Sequence, residues 1–204
     1  MNINTNMLIS FGLVIFSLIL FLILRKAENG LKALAMSFGC LGDMTLAQFW
    51  IFKDLSFVWG VIFFIICHIF YFFAYKRCVK NLFNKGFWIG EAIILLFLIG
   101  LIIISYLYPM NEPYPYFGLG VCIFYGLIIG FVCSVVTAFA YEKRSILSIL
   151  NVLGIISFII SDFIIGTEMV SSLRISVHLI WIFYPIGQFL LILDWKTNKK
   201  EEIN

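Results

Sequence analysis

The chain has 204 residues, 63% hydrophobic and only 12% charged, with mean hydropathy +1.07 and formal net charge +3. A soluble domain carries about 25% charged residues, so the composition excludes a soluble enzyme and points to an integral membrane protein. The small positive excess is no nucleic-acid footprint; its placement along the chain reports topology instead.

Crossing a bilayer takes about 20 apolar helical residues. Stretches of that kind run over 7–24, 33–52, 55–75, 87–108, 116–140, 146–166 and 174–193. They predict an all-α polytopic bundle of seven spans, one transmembrane domain over 1–195, and a short basic cytoplasmic tail over 196–204. The first stretch lacks a basic leader and a small-x-small cleavage site, and Arg25-Lys26 follows it, so it reads as a retained helix. The second contains Phe38-Gly39-Cys40-Leu41-Gly42-Asp43, with Asp43 expected near the midplane, Gly42 leaving room for a neighbour, and Gln48 further out. The third carries His68 and Tyr71, three residues apart and therefore on one face. The fourth opens near Glu91, within reach of the headgroups.

In the fifth, Gly118, Gly120, Gly126 and Gly130 suit close helix packing. The sixth holds Ser161-Asp162 in its outer half. The seventh carries His178 near its outer end, then Tyr184 and Gln188, which share a face at i, i+4. Pro185 between them is expected to kink the helix. Asp194-Trp195 closes the span as an interfacial pair.

Charge placement supports the count. The odd-numbered connections and the tail hold Arg25, Lys26, Lys32, Lys76, Arg77, Lys80, Lys85, Lys143, Arg144, Lys196, Lys199 and Lys200; the other side holds only Lys53 and Arg174. The positive-inside rule then sets the N-terminus outside and the C-terminus in the cytoplasm. A Lys/Asn/Ile-biased chain with short loops points to a bacterial cytoplasmic membrane. Cys40, Cys67, Cys122 and Cys133 lie within spans and Cys78 in a cytoplasmic loop, which argues against a disulfide framework.

An ionisable side chain at membrane depth costs at least ~2.5–3.5 kcal/mol, so Asp43 and Asp162 mark an interior site or an ion path, or else serve as hydrogen-bonded structural acids. Zinc spacing, HExxH, phosphate loops and a G-x-S-x-G elbow are all missing, so no metal and no cofactor are expected. The chemistry on offer is carboxylic acid, imidazole and phenol.

Four features in order carry a resemblance: Gly42-Asp43 in an early span, Gly60 to His68-x-x-Tyr71 in the next, Ser161-Asp162 in the penultimate one, and Tyr184-x-x-x-Gln188 in the last. Over residues 33–193 the chain resembles the YhhN-like lysoplasmalogenase family. The resemblance implies an enzyme that cleaves the vinyl ether bond of lysoplasmalogens, releasing a fatty aldehyde and glycerophosphoethanolamine or glycerophosphocholine. Its members usually have eight spans and a Lys-Pro motif in the second; this chain shows seven and lacks that motif, and loss of one N-terminal span would account for the outside N-terminus.

The residues suit that chemistry. Vinyl ethers hydrolyse by rate-limiting protonation of carbon, which needs a strong proton donor and a nearby anion, much like the paired carboxyls of glycosidases. A carboxyl shielded from water resists ionising and can serve as the donor. One of Asp43 and Asp162 is expected to be the acid and the other the stabilising anion, with Asp43 as acid because of its depth. His68, Tyr71, Ser161, Tyr184 and Gln188 are expected to orient carboxyls, water or substrate. The expected partners are a lysophospholipid and the bilayer. Two alternatives stay open: a catalytically silent lysolipid-binding or regulatory protein, and a small proton-coupled transporter, although no inverted repeat is visible.

Overall fold

The computed structural model describes residues 3–47, 56–109 and 115–193. Among them the chain is all helical: α1 (Ile3–Leu24), α2 (Ala27–Leu46), α3 (Ser56–Lys76), α4 (Lys85–Leu107), α5 (Pro115–Lys143), α6 (Ile146–Val170) and α7 (Val177–Ile192). Five contain stretches long and apolar enough to cross a membrane: Met7–Leu24, Ser56–Lys76, Lys85–Leu107, Tyr116–Lys143 and Ile146–Val170. The apolar stretch of α7, His178–Ile192, is shorter, and α2 is diluted by Glu28, Lys32 and Asp43.

Side chains are distributed as in a membrane protein. Leu8, Leu22, Leu96, Phe124 and Ile146 project outward, whereas Ser10, Asp43, His68, Asn151, Ser161 and Gln188 are buried. Lipid solvates the former; the latter must find partners inside.

Consecutive helices alternate in direction, as the contacts between their ends show. Lys32 near the start of α2 donates to the carbonyl of Leu193 beyond the end of α7 (3.3 Å), and Tyr75 near the end of α3 donates to that of Leu191 (2.7 Å). Asn151 of α6 adds bonds to Leu190 (2.7 Å) and Leu193 (3.3 Å). Three helices thereby satisfy the carbonyls that the last turn of α7 leaves unpaired. At the same end of the bundle, Asn84 caps α4 and Ser145 opens α6 with a capping box.

Two connections are minimal. After α1, Arg25 adopts φ 51°, and after α5, Arg144 adopts φ 50°. Each N–H bonds back one turn, to Phe21 (2.7 Å) and Ala140 (2.9 Å), the left-handed helix stop that glycine usually supplies. One extended residue, Lys26 or Ser145, then starts the next helix.

The early start of α2 corrects the sequence reading. It begins at Ala27 instead of 33, and its described part ends at Leu46. Asp43 therefore lies in the last turn of the described helix, while its partner Tyr184 lies at the middle of α7. The sequence pattern puts Lys32 in the first connection, but Lys32 belongs to α2, where it is buried and donates to a backbone carbonyl. Glu91 differs too: it accepts from Ser134 of α5 (2.8 Å) instead of simply reaching outward. Gln48, Lys53, Asp194, Trp195 and the tail lie outside the described residues.

Glycine brings α6 and α7 together. A Cβ added to Gly187 would stand 2.9 Å from the Gly154 oxygen and 2.9 Å from the Phe158 nitrogen. Those are backbone atoms that cannot yield, so only glycine permits this approach. In α5, Gly126 and Gly130 pack against Leu98 and Ile94 of α4, while Gly120 faces open space. The helix of α7 runs unbroken through Pro185.

Candidate active site

Both intramembrane carboxyls have hydrogen-bond donors. Asp43 Oδ2 accepts from Ser10 of α1 (2.5 Å) and from Tyr184 of α7 (2.9 Å). Asp162 Oδ2 accepts from Tyr125 of α5 (3.0 Å). The residues picked from the sequence partly converge. Tyr71 donates to Gln188 Oε1 (2.6 Å), one turn of α7 below Tyr184, so the shared face of Tyr184 and Gln188 serves one polar cluster. Gly39 lies at its centre, where an added Cβ would be 3.5 Å from the Tyr184 hydroxyl and 3.6 Å from Gln188 Nε2.

His68 links this cluster to Asp162 through aromatic packing. Its Nδ1 carries a hydrogen that bonds the Phe64 carbonyl (2.6 Å), because a carbonyl can only accept. The imidazole stands edge-on to Tyr125 (centroids 5.6 Å apart) and to Phe158 (4.9 Å), and Phe158 in turn packs on Tyr184 (5.3 Å). The row Tyr125, His68, Phe158, Tyr184 runs from one carboxyl's donor to the other's.

A cavity of about 90 Å³ adjoins Asp162. Its wall is apolar, with Val61 and Phe64 of α3, Ile94 and Leu98 of α4, Cys122 and Ile129 of α5, and Ile159 and Met169 of α6; Asp162 and Tyr125 are its ionisable oxygen-bearing side chains. Asp43 is absent from that wall. The ring of Phe64 lines the cavity and packs edge-on to Tyr184 (6.1 Å), while an added Cβ on Gly42 would touch it at 3.0 Å. Gly42 thus makes room for Phe64, whose ring meets both the cavity and Tyr184, a donor to Asp43.

Not every expected residue joins this group. His178 is exposed, and the buried Ser161 hydroxyl has no hydrogen-bond partner among the described residues. Conversely, Ser10 and Tyr125 carry no signal in the sequence, since nothing local distinguishes a lone hydroxyl in an apolar helix; each is recognised only by the carboxyl it meets.

The model of the YhhN family matches residues 4–195. The chain belongs to the YhhN family. No curated protein and no solved structure matches it. The family match takes in α1, which the sequence resemblance over 33–193 had left out, and α1 contributes Ser10 to the Asp43 carboxyl. A YhhN family member of this architecture holds two carboxyls in separate settings: one enclosed by hydroxyl donors, one facing an apolar cavity.

Proposed function

We propose that this YhhN family protein is a seven-span membrane hydrolase that cleaves the vinyl ether bond of lysoplasmalogens. The observation that carries the reading is Asp162, hydrogen-bonded to Tyr125 in the wall of an otherwise apolar cavity. An apolar cavity suits the alkenyl chain, and a carboxyl on its wall suits protonation of that chain's first double bond.

The reaction adds one water. Protonated Asp162 gives its proton to the vinyl carbon remote from oxygen, leaving an oxocarbenium ion. Water attacks the carbon bonded to the ether oxygen, giving the hemiacetal, and the Asp162 carboxylate takes the proton the water sheds. The hemiacetal then collapses to a fatty aldehyde and the free hydroxyl of glycerophosphoethanolamine or glycerophosphocholine. A positioned acid of this kind contributes about 10²–10⁴-fold in rate.

Contact with the cavity favours Asp162 as the acid, exchanging the roles that depth alone suggested. Asp43, outside the cavity wall, acts as the fixed anion that favours the developing cation through a medium of low dielectric. Tyr125 holds Asp162, while Ser10 and Tyr184 hold Asp43. His68 keeps Tyr125 and Phe158 in place, and Tyr71 and Gln188 brace the face of α7 that carries Tyr184.

The test is aldehyde release from lysoplasmenyl-ethanolamine by purified protein in detergent, beside Asp162→Asn and Asp43→Asn. Turnover by wild type and its loss in both folded variants is the expected result. Binding of the lipid without aldehyde release sinks the hydrolase reading and leaves a lysolipid-binding protein.

A further inference from the structure

We infer that the site takes its single-chain lipid from the leaflet opposite the basic face, which is the outer leaflet. The inference rests on the lysolipid reading above and adds the side from which substrate arrives.

The helices define two ends of the bundle. One gathers Arg25, Lys26, Lys32, Lys76, Arg77, Lys80, Lys85, Lys143 and Arg144; among the described residues, Arg174 alone is basic at the other. By the positive-inside rule the basic end is cytoplasmic.

The cavity occupies the opposite half. Its wall starts at Phe57, the second residue of α3, and at Met169, the penultimate residue of α6. It ends near the level of Ile94 and Ile129, about the middle of α4 and α5. At 1.5 Å per residue, Asp162 lies about 10 Å along α6 from Met169. The vinyl ether of a lysoplasmalogen sits a few bonds from its phosphate, so a headgroup held at the helix ends brings that bond toward Asp162 while the chain continues inward. Entry from the basic end would set the headgroup against the packed lower halves of the helices, where Lys32, Tyr75 and Asn151 bind the end of α7.

The experiment uses the full chain in sealed membrane vesicles of known orientation, with lysoplasmenylcholine added from outside. Transfer of a charged headgroup across the hydrocarbon core is costly, so right-side-out vesicles should release aldehyde roughly tenfold or more faster than inside-out ones until detergent equalises them. A second readout is independent of turnover. An impermeant maleimide should label Met169→Cys in right-side-out vesicles, with lysoplasmenylcholine slowing the reaction, and should label native Cys78 only in inside-out ones. Equal or faster release from inside-out vesicles, or labelling of Met169→Cys only from their side, overturns the inference. Absence of aldehyde even in detergent, with the labelling and its protection intact, instead counts against hydrolysis and leaves the side of entry standing.

Discussion

The imidazole of His68 stands edge-on to the phenol ring of Tyr125, 5.6 Å between centroids, while its Nδ1 is held by the carbonyl of Phe64. Its contribution to the cavity is therefore to fix the ring whose hydroxyl reaches Asp162. His68→Phe should preserve the edge-on packing and keep turnover within about tenfold of wild type. Tyr125→Phe, which deletes a hydrogen bond to the proposed acid, should lower it further, by about 10²-fold or more. Aldehyde release by the two folded variants checks the order; a greater loss from His68→Phe would give the imidazole a direct chemical role.

Ser10 and Tyr184 share one oxygen of Asp43. Removing either donor leaves the other, so Ser10→Ala and Tyr184→Phe should each destabilise the bundle by about 1 kcal/mol. The double variant strips a buried carboxyl of both and should lose more than the sum. Thermal unfolding in detergent of the four proteins measures the coupling, and strict additivity would contradict a shared acceptor.

Cys122 lines the cavity without bonding either carboxyl. Cys122→Leu fills part of the space meant for the alkenyl chain. The expected outcome is a KM raised about tenfold for long-chain lysoplasmalogen, a smaller rise for a short-chain analogue, and little change in kcat. One or two methylene-sized obstructions in an apolar pocket have effects of this order. Steady-state kinetics across chain lengths decide it.

At the α6–α7 crossing, Gly187→Ala places a methyl against the Gly154 carbonyl and the backbone of Phe158. Overpacking of this kind costs about 1–3 kcal/mol, and it should also displace Tyr184 and Gln188 on the same helix. A lower Tm together with weakened turnover is expected. Gly120→Ala, which meets open space, is the control and should match wild type.

The sequence was most informative where one helix carries the relationship. Tyr184 and Gln188 share a face because 3.6 residues make a turn, and both turn inward to the same polar cluster. Charge was a poorer guide to helix boundaries. The charge of Lys32 suggests a loop residue, yet its ammonium sits over the Tyr75 ring, 4.6 Å from the centroid, and reaches a backbone carbonyl, so α2 starts earlier and Asp43 lies in the last described turn. Least visible were pairings between distant helices. Ser10 meets Asp43 across 33 residues and Tyr125 meets Asp162 across 37, and no local pattern encodes either distance.

The two donors of Asp43 sit on the first and seventh helices, and that arrangement dates the site within biosynthesis. When α2 leaves the ribosome its carboxyl has only Ser10 for company; Tyr184 follows some 140 residues later. Until α7 docks, the nascent bundle carries a half-satisfied carboxyl on a helix already marked by low apolarity. Arrival of α7 completes the carboxyl's shell and seals its own frayed end on Lys32, Tyr75 and Asn151 in the same event. Assembly of the chain and completion of the Asp43 site thus finish together, so a partly inserted protein lacks the fully held anion that the proposed chemistry needs.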